Sequence, residues 1–318
     1  MARKSSKRSR VPTWLRRTRT FAIANLFLWG GLLFWFAVQP IERREEVTHL
    51  LRNAVGGGKK ITAFEVAWDL WQLYYGRDFV TAVAEGDKTH VYGGLPRQAN
   101  GGPAGRVLVN SGYVVGYSDA LGNPLWAAYR MNDAHVRDAA PRPDAFMVDS
   151  RTLARIAPDV YNRSGYDRGH LAPNHAIAIR YGPQAQEETF LMSNIAPQRH
   201  GLNAGLWKQL EQRIATNYPG RFREVWVIAG PVFGARPTRL ARRVAIPEAF
   251  FMIVVDENEG RVRAAAFLLP QDLPDGATLP DYLVSIDEIE MRTGLDFLHE
   301  LPDAAEALLE AKKIERVW

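Results

Sequence analysis

Two segments concentrate side chains able to work on a phosphate ester: SGYDRGHLAPN, from Ser164 to Asn174, and SNIAPQRHGLNAGLWKQLE, from Ser193 to Glu211. Hydrolysing a phosphodiester requires an activated water, charge stabilisation at phosphorus and help for the departing oxygen. His170 has the chemistry of the base. An imidazole with an ordinary pKa of ~6.5 accepts a proton from water near neutral pH, provided a carbonyl or carboxylate holds its other ring nitrogen. Asn203 offers an amide oxygen, and Mg²⁺ is a hard ion that keeps several waters and needs few protein ligands. Glu211 follows eight residues later. On a straight helix that spacing leaves the two about 80° and roughly 12 Å apart, too far for shared ligation but suited to holding a bound water if the helix bends. Arg168 presents a planar fork to phosphate oxygens, a contact that reads backbone rather than bases.

Each of these residues also has an ordinary structural role. His170 is one of seven histidines. Asn203 stands where a helix N-cap is expected, and its side chain suits that task equally well. Glu211 with Arg213 reads as a solvated helix face, Gly169 as a turn, and Asp167 with Arg168 as an ion pair. Spacing alone therefore makes phosphodiester hydrolysis a candidate, and a small phosphoester is as open a substrate as a polymer.

The elements that must position these groups are legible as hydrophobic patterns. Apolar Leu202, Leu206, Leu210 and Ile214 recur at four-residue steps, which predicts an amphipathic helix over 202–217. Strands are expected at 107–109, 113–117, 125–129, 189–192, 225–229, 250–256 and 262–268, the last two as a hairpin around Asn258 and Gly260. Strands grouped before and after a helix, without regular alternation, predict an α+β fold on a central antiparallel sheet flanked by helices. Upstream, 42–54 and 61–75 look helical, with a break at Gly56-Gly57-Gly58. We therefore divide the chain into a basic tail (1–20), an apolar anchor (21–38), a helical stalk and linker (39–105) and a catalytic domain (106–318).

Residues 21–38, FAIANLFLWGGLLFWFAV, are uncharged and long enough to cross most of a bilayer core. The basic residues before them predict a single-pass transmembrane helix with a cytoplasmic amino terminus and an exported carboxyl-terminal body. An Arg- and Ser-rich, acid-poor leader leaves a mitochondrial inner-membrane protein as the alternative. Of 318 residues, 47% are hydrophobic and 24% charged, which excludes a disordered polymer. The net charge of +5 sits in the tail: its eight Lys and Arg leave 32 of the 40 against all 35 Asp and Glu. Net charge thus gives no support for nucleic-acid binding by the folded part. The absence of cysteine excludes disulfides and thiolate metal sites.

The quoted segments resemble the DNA/RNA non-specific endonuclease family, which includes mitochondrial endonuclease G and secreted bacterial nucleases of the ββα-metal type. The resemblance rests on Asp167-Arg168-Gly169-His170 and on NSGYVVGYSDALGNPLWAAYR from Asn110, TFLMSNIAPQ from Thr189 and VSIDEIEMRTGLDFLHELPD from Val284, in that order. It spans Val107 to Asp303. It implies a ββα-metal fold with His170 as general base and Asn203 as the sole direct protein ligand of Mg²⁺, Mn²⁺ being an acceptable substitute. It further implies that Glu211 orients metal-bound water, Arg168 binds phosphate, Asn194 lines the site and Asp167 shapes it. DNA and RNA would be bound mainly through their phosphates, and a homodimer would follow the endonuclease G pattern. Family members often carry an Arg one turn after the Glu, where this chain has Ala215. The alternatives are a silent nucleic-acid-binding or envelope scaffold on the same fold and a small-phosphoester phosphodiesterase.

Overall fold

Successive side chains of a strand point to opposite faces, so a long strand apolar at every position must be covered on both sides. That pattern governs the centre of this protein. The computed structural model describes residues 13–55, 61–75, 78–133, 139–258 and 260–318; the first twelve residues of the basic tail and the break at Gly56-Gly57-Gly58 lie outside the described residues.

The chain divides into two compact units, Met1–Thr48 and His49–Trp318. The first contains helix α1 (Thr13–Ala37) and the start of α2 (Ile41–Val55). From Phe21 onward α1 exposes Leu26, Phe27, Trp29, Leu33 and Phe34. Among the described residues no helix is long and apolar enough to cross a membrane. The described apolar side chains of α1, Phe21 to Ala37, extend about 25 Å at ~1.5 Å per residue, short of a ~30 Å hydrocarbon core.

The second unit opens with α3 (Ala63–Tyr75) and strands β1 (Val80–Thr81), β2 (Arg97–Gln98), β3 (Arg106–Val109), β4 (Val114–Ser118) and β5 (Asn123–Asn132). Next come β6 (Asp167–His170), α4 (Asn174–Tyr181), α5 (Pro183–Glu188), β7 (Ile195–Gln198), α6 (His200–Leu202), a π-helical turn (Asn203–Trp207), α7 (Lys208–Thr216) and α8 (Tyr218–Phe222). The chain closes with β8 (Glu224–Val232), β9 (Arg239–Leu240), β10 (Val244–Ala245), β11 (Ala249–Asn258), β12 (Arg261–Pro270), β13 (Leu283–Val284), α9 (Ile286–Thr293), β14 (Leu295–Asp296) and α10 (Asp303–Glu310). The main sheet is antiparallel, in the order β1-β12-β11-β8-β5-β4-β3, with β13 beside β12. The β11–β12 hairpin keeps register from Ala249↔Pro270 to Asn258↔Arg261.

Alternation then sorts the core. Tyr129, Val227, Phe250 and Met252 face one side and pack with Ile177, Leu206, Leu210 and Ile214. Trp126, Ile228, Phe251 and Ile253 face the other and pack with Ile286, Ile289 and Leu309. The result is a mixed fold in which an antiparallel sheet lies between two helical layers, as the pattern predicts. Two expectations differ. No strand forms at 189–192; the pairing strand is β7, three residues on, whose Pro197 weakens its sequence signal. Residues read as stalk and linker also enter the second unit: Tyr92 is fully buried against the sheet, and Asp69 of α3 accepts Arg221 Nε and Nη2 at 2.7 and 2.6 Å. The folded unit therefore begins well before Arg106.

Candidate active site

β6 and β7 pair antiparallel, Asp167↔Gln198 through His170↔Ile195, and α6 begins directly after β7. Two strands and the helix after them hold the candidate residues. Gly169 is required for this pairing, because a Cβ there would lie 2.0 Å from Gln198 Oε1 and 2.7 Å from its Cγ, and Gln198 is fully buried. The helix is not straight. Asn203–Trp207 forms a π turn in which Gly205 leaves the helical region (φ −96°, ψ −118°). The kink at Gly205 separates Asn203 from the regular turns of α7, so the straight-helix relation between Asn203 and Glu211 does not apply.

A cleft of about 350 Å³ gathers Arg168, His170, Asn203 and Glu211, and Arg142, Asn174, His175, Lys208 and Ala215 also line it. His170 is half-buried, its ring packed 5.4 Å from Phe146 and 5.1 Å, edge-on, from Phe190. Burial, reinforced by the Arg142 charge, pushes its pKa down to about 3. The imidazole is therefore neutral near pH 7, in the form that accepts a proton. The carbonyl or carboxylate expected on its second ring nitrogen is not found: Nε2 is buried without a hydrogen-bond partner among the described residues, and the aromatic rings hold the plane instead.

Asp167 ties β6 to the helical segment after β7. Its Oδ2 accepts from Asn203 Nδ2 at 2.9 Å and stands 2.8 Å from His200 Nδ1. A carboxylate pairs only with the amide's nitrogen, so this bond turns the Asn203 oxygen away from Asp167. Glu211 is half-buried. Burial raises its carboxyl to about 8, partly offset by the Trp207 indole and the Lys208 ammonium. Asn174 Oδ1 is buried with no donor. Amide and carboxylate oxygens, one of them orphaned and no sulfur among them, make a donor set that fits a hard divalent cation.

Arg168 is not paired with Asp167. Its Nε and Nη2 donate to Pro158 O at 3.1 and 2.7 Å, Nη2 also reaches Asn162 Oδ1 at 2.7 Å, and the guanidinium lies over Tyr161 and Phe146. These bonds fix the fork before any ligand arrives. Asn194 does not line the cleft. It is fully buried, with Oδ1 accepting from Ala172 N at 2.9 Å and Nδ2 donating to Ala172 O at 2.9 Å and Thr189 O at 3.0 Å. It clamps the chain two residues beyond His170, a positioning task.

Sequence reading did not assign Arg142, Asn174, His175 or Lys208. Lys208 and Asn174 lie within the two quoted segments, whereas Arg142 stands in a loop with no periodic signal. Ala215 is on the cleft wall, and Arg213 is turned toward Glu65 of α3, 3.8 Å away. Arg142 and Lys208 supply the positive charge on this wall.

The profile of the DNA/RNA non-specific endonuclease family matches residues 93–304. The chain belongs to that family. A nuclease of Nostoc sp. is 30% identical over 66% of this chain and 79% of its own length. A nuclease of Serratia marcescens is 30% identical over 67% and 82%, and mitochondrial endonuclease G of Homo sapiens 30% identical over 58% and 67%. The solved EndoG/EndoGI complex, described as showing the mechanism of EndoG inhibition, contains a chain with a TM-score of 0.56 and 26% identity, covering 63% of this chain and 89% of its own. This family member is a nuclease, a hydrolase of phosphodiester bonds.

Proposed function

We propose that this endonuclease cuts the backbone of DNA and RNA without regard to sequence, using one Mg²⁺, with Mn²⁺ able to substitute. The observation that carries the reading is the convergence of His170, Asn203, Glu211 and Arg168 on one cleft. Neutral His170 takes a proton from the attacking water. Asn203, aligned by Asp167, is the direct protein ligand of the cation, and Glu211, once ionised, holds water beside it. When bound, the cation stabilises charge on the phosphate and the leaving oxygen. Arg168 is fixed in advance for a phosphate, and Arg142 and Lys208 add positive charge to the same cleft, which Ala215 lines where other members often place an Arg. Contacts of this kind fall on the backbone and carry no base information.

The test exposes plasmid DNA, RNA and a small chromogenic phosphodiester to the full chain in Mg²⁺ and in chelator. Cleavage of both polymers only with metal is expected. Binding without cleavage in Mg²⁺ would favour a silent scaffold, and cleavage of the small diester alone a phosphodiesterase. We also propose that residues 21–38 tether the enzyme to a membrane with its catalytic body exported, supported by the exposed apolar side chains of α1 and the basic residues before it. External protease that leaves the carboxyl-terminal body intact in unbroken cells would contradict the exported placement.

A further inference from the structure

Away from the cleft, three acidic side chains converge where α10 meets α9. One carboxylate oxygen from each of Asp287, Glu290 and Glu310 lies within 4.8 Å of the others. α9 is fixed by its caps: Ser285 Oγ accepts from Glu288 N at 3.2 Å, and Gly294 (φ +70°) ends it in the left-handed region. Asp287 and Glu290, three residues apart, therefore share a face. Glu310 comes from the last turn of α10, whose Ala305 and Leu309 anchor it on the sheet.

Acidic clusters are common on protein surfaces, but this one has a feature that repulsion alone does not explain. Glu310 is 6% exposed, and its buried Oε1 has no hydrogen-bond partner. A buried carboxylate without a donor or a cation is costly. Among the described residues, Arg292 pairs with Glu248 at 3.0 Å, Arg97 with Asp296 at 2.7 Å and Lys312, two residues past Glu310, with Asp78 at 3.3 Å. Glu290 is already oriented, its Oε1 accepting from Phe297 N at 2.8 Å.

We propose that Asp287, Glu290 and Glu310 form a second divalent-cation site, of the Ca²⁺ class, that clamps α10 to α9. Carboxylates drawn from two helices with one open side suit Ca²⁺, which takes six to eight oxygens at about 2.4 Å in flexible geometry, better than Mg²⁺, which demands a near-ideal octahedron at about 2.1 Å. Asp287 is exposed, so the open side of the site admits the waters that complete a Ca²⁺ shell. Burial, with the neighbouring carboxylates, pushes Glu290 up to about 7 and Glu310 to about 9, so at neutral pH Glu310 holds a proton that a bound cation would displace. The ion would be structural, since no residue of the set lines the catalytic cleft.

The test is a calorimetric titration of the full chain with CaCl₂ in saturating Mg²⁺, which keeps the catalytic cleft occupied. Wild type and Asn203→Ala are expected to bind one Ca²⁺ each with equal affinity. Glu310→Gln and Asp287→Asn are expected to weaken that binding about tenfold or more, while Glu310→Gln keeps wild-type nuclease activity in Mg²⁺. Asp287 is exposed, so its replacement leaves folding intact, which far-UV circular dichroism verifies. No Ca²⁺ binding in Mg²⁺, binding lost in Asn203→Ala, or affinity unchanged in both acidic variants would overturn the proposal.

Discussion

Glu211 carries a consequence that stability measurements can read. Its carboxyl titrates near 4.5 in the unfolded chain and near about 8 in the folded one. Between those values the folded state binds more protons, so without a cation stability is lost as pH rises through the window. Glu211→Gln removes this contribution. In urea unfolding with chelator, wild type is expected to lose stability relative to the variant from about pH 5 to about pH 8. A constant difference across that range would contradict the assignment. A bound cation favours the ionised carboxylate, so cation affinity should climb over the same interval. At this scale the sequence was informative where chemistry is local. His170, Asn203, Glu211 and Arg168 are singled out by residue type and by the resemblance of their segments, and all four line one cleft, whereas Asn194 and Asp167 differ only in what surrounds them. One is sealed among backbone groups, and the other holds Asn203 at 2.9 Å.

Hydrophobic period reveals elements that bury continuous faces. It located β3, β4, β5, β8, β11 and β12 within a few residues, because each of these strands fills one or both sheet faces with apolar side chains. It passed over β6, whose Asp167, Arg168 and His170 are polar, and β7, which contains Pro197. The two strands of the candidate site are therefore the least visible. It also read 202–217 as one regular helix: Leu202, Leu206, Leu210 and Ile214 are buried as expected, but the helix is kinked at Gly205, and Asn203 and Glu211 line one cleft from either side of that kink. α3 is held to the body by the buried Asp69–Arg221 pair. Asp69→Ala would remove both hydrogen bonds to the buried Arg221 and leave it, among the described residues, only the Glu65 carboxylate, 3.8 Å away, and is expected to cost about 3 kcal/mol in denaturant unfolding. A loss below about 1 kcal/mol would place this contact in the class of exposed pairs.

Over the whole molecule, net charge misleads about substrate binding. The excess positive charge belongs to the amino-terminal tail, and the remainder carries more acid than base. Attraction for a polyanion must come from where the cations stand, and Arg142, Arg168 and Lys208 line the cleft together. Arg142→Ala is expected to weaken binding of DNA and RNA alike, measured by fluorescence anisotropy in chelator, and to lower the slope of log affinity against log salt by about one. An unchanged slope would remove Arg142 from the phosphate path. The most direct measurement compares wild type and His170→Ala for single-turnover cleavage of plasmid DNA in saturating Mg²⁺. Loss of a general base is expected to slow cleavage by about 10²–10⁴-fold with DNA binding retained, and equal rates would contradict the role assigned to His170.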